Sequence, residues 1–145
     1  MNKLFYVLAM SLLSFLMGAC GTPEGVENMG VEAFSKAIAS DKVQLVDVRT
    51  AEEFAEGHIE KAQNIDVTSG NFMQKATSSL DKSHPVYVYC RTGGRSMQAA
   101  TMLAKQGFQV KNLDTGIVGW VGAGKPVTMK LVKQHERDVI FDLTV

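Results

Sequence analysis

Apolar residues along this chain fall into short runs separated by polar stretches, and their spacing changes from run to run. Val31, Phe34 and Ile38 recur at i, i+3 and i+7, which places one apolar stripe on a first helix. Val86 to Tyr89 is a β-branched and aromatic run of the kind that fills a buried parallel strand, and Val43 to Val48 reads as another buried strand. Glu52 to Glu56 reads as a short helix, Gln63 to Val67 includes the next strand, and Phe72, Ala76 and Leu80 mark a second amphipathic helix. Met97 to Gln106 is a run of good helix formers stopped by Gly107, and Val110 to Leu113 returns to strand. Strands alternate with helices, so the pattern predicts one α/β domain: an open parallel sheet with helices on both faces.

That alternation occupies residues 31–127, enough to enclose a core of this type. Residues 20–30, with Gly21, Pro23, Gly25 and Gly30, read as a tether. Residues 128–145 form a C-terminal extension in which Val139, Phe141, Leu143 and Val145 alternate, which predicts an added strand.

Residues 1–19 carry an export pattern. Lys3 is the only charge before Glu24, and the apolar run from Leu4 to Leu16 suits a signal peptide. It is shorter than the roughly 20 apolar residues a membrane-spanning helix needs. Met17-Gly18-Ala19-Cys20 follows, small residues and then a cysteine, and it resembles a bacterial lipobox with Met17 in place of the more usual leucine. The expectation is a lipoprotein cleaved before Cys20 and anchored by lipid on that residue to a membrane facing the periplasm. Gly21 beside the lipidated cysteine suits the outer membrane.

Charge and cysteine content narrow the function classes. Fifteen basic and fifteen acidic residues balance, and no basic run stands out, so nothing points to nucleic acid. With Cys20 lipidated, Cys90 is the only thiol left, and it cannot form an internal disulfide. A lone thiol in an exported chain points to chemistry rather than cross-linking. Three dispersed histidines and one free cysteine have no metal-ligand spacing.

The chemistry concentrates after the strand Val86 to Tyr89, in Cys90-Arg91-Thr92-Gly93-Gly94-Arg95-Ser96. A strand, a tight glycine loop and a helix in succession aim backbone N–H groups and a helix N-terminus at one point, which favours an anion there. A thiol at that point ionises more easily than a free one, and the thiolate is the nucleophile. Arg91 and Arg95 add fork-shaped donors suited to an oxyanion. His84 is no partner for the thiol: it lies six residues back along a strand, roughly 20 Å at about 3.3 Å per residue.

The loop resembles the active-site loop of rhodanese-type sulfurtransferases, and other stretches match that family in order. These are Leu45-Val46-Asp47-Val48-Arg49, Glu53-Phe54, Gly57-His58-Ile59 and Ala62-Gln63-Asn64-Ile65 before the loop. After it come Asn112-Leu113-Asp114-Thr115-Gly116-Ile117, Trp120, and Ala123-Gly124-Lys125-Pro126-Val127. The resemblance implies a rhodanese-like fold in which Cys90 is the nucleophile and persulfide carrier. Thiosulfate or another sulfane-sulfur donor is the implied substrate, and cyanide or a thiol the acceptor, with no cofactor. The N–H groups of Arg91, Thr92, Gly93, Gly94 and Arg95 then hold the charge on sulfur, while Arg91 and Arg95 bind donor oxygens. Asp47, Arg49 and His58 occupy family positions and read as supporting residues: Asp47 in a structural ion pair before orienting an arginine or the loop backbone, Arg49 and Glu53 undecided between the same roles, and His58 packed and hydrogen-bonded before any catalytic role. Trp120 reads as core or rim packing.

Two other readings compete. Phosphatases and arsenate reductases related to rhodaneses have five residues between cysteine and arginine, whereas Cys90 and Arg95 enclose four, which leaves less room for a tetrahedral phosphate. The domain also fits a lipid-anchored binding or persulfide-relay module whose partner is a protein thiol.

Overall fold

The computed structural model describes residues 21–129. Five parallel strands form the sheet: β1 (Val26–Met29), β2 (Gln44–Asp47), β3 (Gln63–Asn64), β4 (Val86–Tyr89) and β5 (Val110–Leu113), in the order β1-β5-β4-β2-β3. Five helices connect and cover them: α1 (Val31–Ala37), α2 (Ala51–Glu56), α3 (Phe72–Ser79), α4 (Gly94–Lys105) and α5 (Gly116–Gly122). The predicted α/β architecture, parallel with helices on both faces, is the one observed.

Strand alternation divides the interior in two. Val46 and Val48 from the β2 segment, Val86 and Val88 from β4, and Val110 from β5 face Phe72, Ala76, Ala99, Ala100 and Leu103 of α3 and α4. Leu45, Tyr89 and Leu113 point the other way, to Phe34 of α1 and to Ile117 and Trp120 of α5. Burial on both faces explains why β4 reads as a continuous apolar run and why Leu45 and Val46 of β2 stand side by side rather than alternating with polar residues. Trp120 is core, and its indole N–H donates to the Pro126 carbonyl at 2.8 Å.

Gly107 stops α4 as its position implied. It adopts φ +90°, its N–H donates to Ala104 O, and the Phe108 N–H reaches back to Leu103 O. This is a Schellman cap, and Phe108 packs into the same apolar cluster as Leu103.

The structure differs from the sequence reading at the chain's flanks. Residues 20–30 are not a tether throughout, because Val26–Met29 is a strand in register with β5, from Val26 opposite Val110 to Met29 opposite Leu113. The domain therefore begins before residue 31. Only Val26 of that strand is buried, so its apolar signal was too thin to stand out among the glycines. β3 is confined to Gln63–Asn64, although Ile65 and Val67 still donate to Asp47 O and Val48 O. At the other end Thr128 bridges His58 in an isolated antiparallel pair. The strand expected around Val139 to Val145, the signal peptide and Cys20 lie outside the described residues. No helix among the described residues is long and apolar enough to cross a membrane.

Candidate active site

Cys90 follows the last residue of β4, at the carboxyl edge of the sheet where open α/β folds place ligands. β4 lies between β2 and β5, so both neighbouring strand ends open toward the loop. Val86, Val88 and Cys90 share one face by strand alternation, and the thiol is 1% exposed. A chain turning so sharply needs Gly93 at φ +102°, where an added Cβ would stand 2.2 Å from the Asp114 carbonyl oxygen. α4 then starts at Gly94, three residues earlier than the sequence pattern implied.

Around the sulfur the donors converge. The Gly93 N–H donates to Sγ at 3.1 Å, and Ser96 Oγ lies 3.3 Å from Sγ. Ser96 Oγ is also 3.1 Å from the Gly93 carbonyl and has one proton to give. Burial alone would push the Cys90 thiol up. Hydrogen bonds from the Ser96 hydroxyl and from the Ser96, Gly93 and Thr92 N–H groups outweigh it, so the thiol lies below its ordinary range. The first turn of α4 adds the positive end of a helix dipole. The cradle therefore stabilises a sulfur anion in a nearly dry pocket.

Arg95 and Arg91 differ in their engagement. Arg95 forms a bidentate pair with Glu53, Nη1 to Oε2 and Nη2 to Oε1, both at 2.7 Å. Glu53 is fixed in turn by a capping box: Thr50 N–H donates to its carboxylate, and its own N–H donates to Thr50 Oγ. The hydrogen bond from Arg95 holds the Glu53 carboxyl down at about 2, against a smaller opposing effect of burial. The Arg91 guanidinium is exposed, and no hydrogen-bond or ion-pair partner for it exists among the described residues.

The supporting residues form a frame next to the loop. Asp47 is fully buried and Arg49 is 6% exposed; Arg49 Nη2 donates to Asp47 Oδ2 at 2.7 Å and to the Gly57 carbonyl at 2.7 Å. The guanidinium also lies over the Tyr89 ring, 5.9 Å from its centroid. The Tyr89 hydroxyl accepts from the Ile59 N–H at 3.0 Å, and burial pushes its ionisation well above the usual range. The network ties the end of β2, the residue before Cys90 and the Gly57–Ile59 turn into one unit. His58 stacks on Phe54 at 3.7 Å, and its Nδ1 is 2.8 Å from the Phe54 carbonyl, which occupies that nitrogen structurally. His84 stands exposed at the opposite end of β4, paired with Asp81.

Three site features escaped the sequence reading. Ser96 was legible only as part of the loop, not as a donor to sulfur. Glu53 was one of several undecided charges, although Thr50-x-x-Glu53 is a capping-box pattern that fixes its orientation. α5 was not anticipated; it packs its first turn on the loop, with the Ile117 and Val118 N–H groups donating to the Cys90 and Arg91 carbonyls at 2.9 and 3.1 Å. A groove of ≈ 370 Å³ opens beside these residues, lined by Arg49, Glu53, Gly57, Val118, Val121 and Val127 among others. A larger hollow of ≈ 510 Å³ lies at the far end of α4, around Pro23, Lys105 and Gln109, away from the thiol.

The model of the rhodanese-like domain family matches residues 30–123. A sulfurtransferase of Allochromatium vinosum is 36% identical over 104 residues, spanning 70% of this chain and 94% of that protein. Thiosulfate sulfurtransferase 18 of Arabidopsis thaliana is 30% identical over 105 residues, spanning 64% of this chain and 77% of that protein. The crystal structure of a rhodanese-like domain protein from Staphylococcus aureus superimposes with a TM-score of 0.61 at 28% identity, covering 72% of this chain and 98% of the other. Fold, loop and relatives agree: the chain belongs to the rhodanese-like domain family and is a single domain of the sulfurtransferase type.

Proposed function

We propose that this protein moves sulfane sulfur from thiosulfate, or a donor of the same chemistry, to a thiophilic acceptor through a persulfide on Cys90. The observation that carries the reading is the sulfur cradle, in which N–H groups and the Ser96 hydroxyl hold a buried thiol below its ordinary range. The Cys90 thiolate attacks the outer sulfur of thiosulfate. A new S–S bond forms, the donor's S–S bond breaks, and sulfite leaves with the electron pair. The persulfide's terminal sulfur then takes the place of the attacking anion, near the same donors. Cyanide or a thiolate attacks that sulfur, and the Cys90 thiolate is released unchanged. Arg91, with its guanidinium free among the described residues, is suited to the donor's sulfonate oxygens. Arg95 is oriented by Glu53, and its charge and that of Cys90 act on each other. Cys90→Ser abolishes thiosulfate:cyanide sulfurtransfer while the fold persists in circular dichroism; retention of near-parental turnover contradicts the proposal.

We also propose that the domain is exported and held at a membrane by lipid on Cys20, on the strength of the apolar run and the small residues before that cysteine. Two or more acyl chains anchor a protein stably where one does not. Cys20→Ser then blocks lipid labelling and signal removal. Unchanged processing to a soluble product would identify an ordinary secretory signal instead.

A further inference from the structure

Arg95 belongs to the loop that holds the thiol, yet neither prong of its fork is free. Nη1 donates to Glu53 Oε2 and Nη2 to Glu53 Oε1, both at 2.7 Å. A carboxylate and a tetrahedral oxyanion ask the same of a guanidinium, two parallel N–H donors in one plane. The oxyanion seated on this fork is therefore one the protein supplies itself. The pair lies within reach of solvent, its Arg95 and Glu53 side chains 31% and 28% exposed. Glu53 also lines the groove of ≈ 370 Å³ beside the loop.

Several contacts keep the carboxylate where it is. The capping box ties Glu53 to the Thr50 N–H at 3.1 Å, and the Glu53 N–H reaches Thr50 Oγ at 3.3 Å. Arg49 does not compete for Glu53, because its fork is committed to Asp47 and to the Gly57 carbonyl. Asp66 acts on Arg95 only through its charge, and its Oδ1 accepts from the Thr68 N–H and hydroxyl at 2.8 and 2.7 Å. The Glu53 carboxyl is held at about 2, so the pair stays closed at any pH where the thiol ionises.

We infer that Glu53 is a specificity-determining residue: by occupying both Nη atoms of Arg95 it denies that fork to tetrahedral oxyanions such as inorganic phosphate, and leaves oxyanion binding to Arg91. The inference deepens the proposed function and rests on the reading that this loop is the site of sulfur transfer. Discrimination then comes from an internal anion that competes, rather than from added contacts to the preferred donor. A loop with one free fork holds an oxyanion weakly, which suits a site that sulfite must leave before the acceptor arrives.

The test is a gain of binding, which a merely damaged fold cannot produce. Glu53→Gln keeps the capping-box pattern but offers the fork one oxygen instead of two. In the full chain, inorganic phosphate is titrated against alkylation of Cys90 by iodoacetamide, an uncharged reagent. The rise in melting temperature that phosphate produces gives a second measure of its binding. Glu53→Gln is expected to bind phosphate about tenfold or more tighter than the parent, the worth of one charge-assisted contact. Phosphate then competes with thiosulfate, and the KM for thiosulfate falls as well. Adding Arg95→Ala removes the gain, as coupling between touching residues requires. Glu56→Gln removes an equal charge from the same helix and groove, away from the Arg95 fork, and leaves phosphate binding close to the parent's. Glu53→Ala frees the same fork, should the glutamine variant not fold. A folded variant that binds phosphate no tighter than the parent overturns the inference, as does a gain that survives Arg95→Ala or is matched by Glu56→Gln. Tighter phosphate binding in a protein whose Cys90 takes up no sulfur upholds the role of Glu53 and contradicts the proposed function instead.

Discussion

Arg91 and Arg95 have the same side chain and flank the same two glycines, yet their surroundings give them different work. Arg95 is committed to Glu53 in a fork-to-fork pair, while Arg91 is exposed and unpaired among the described residues. Arg91→Ala therefore raises the KM for thiosulfate by about tenfold or more, the worth of one charge-assisted contact, which initial-rate saturation curves would register. The Glu53 carboxyl is held at about 2, below its ordinary 4.5. A depressed carboxylate contributes stability that is fully present above its unfolded value and is lost as pH falls toward the folded one. Glu53→Gln should accordingly flatten acid denaturation between roughly pH 4.5 and 2, followed by circular dichroism. An acid limb of unchanged steepness would show that the pair contributes nothing measurable, as many exposed ion pairs do.

At the scale of elements, the site is a junction of three turns: β4–α4 carries the thiol, Thr50–Glu53 orients Arg95, and the turn between β5 and α5 seats on the loop. The first was legible in sequence because strand, glycines and helix are contiguous there. The pairing of Glu53 with Arg95 was not, since 42 residues separate them and a local pattern does not say which distant charge it will meet. α5 was hidden for another reason: Gly116, Gly119 and Gly122 in a seven-residue helix remove the propensity signal, and only its packing sustains it. Gly93→Ala tests this junction, because it demands positive φ and drives a Cβ into the Asp114 carbonyl. It is expected to cost at least about 1–3 kcal/mol in denaturant unfolding, and to impair sulfur transfer even where the protein still folds.

Across the whole molecule, the two apolar layers hold β4 rigidly in mid-sheet, and the loop inherits that rigidity at its carboxyl end. The order from α1 to β5 was readable because its apolar runs, though short, have distinct periods. The edge was not: β1 has one buried residue and derives its place from pairing with β5. Removing residues 1–30 should therefore lower the melting temperature and promote association, since the β5 edge would be left unpaired. A truncated protein as stable and as soluble as one beginning at residue 21 would return that segment to the status of a tether.

Cys90 as a carrier of sulfur is the claim on which the rest depends, and intact-mass analysis of the protein after treatment with thiosulfate tests it most directly. The account predicts a mass gain of one sulfur atom, removed by cyanide or a thiol and absent in Cys90→Ser. A folded protein that gains no sulfur, or gains it equally with serine at position 90, would contradict the account.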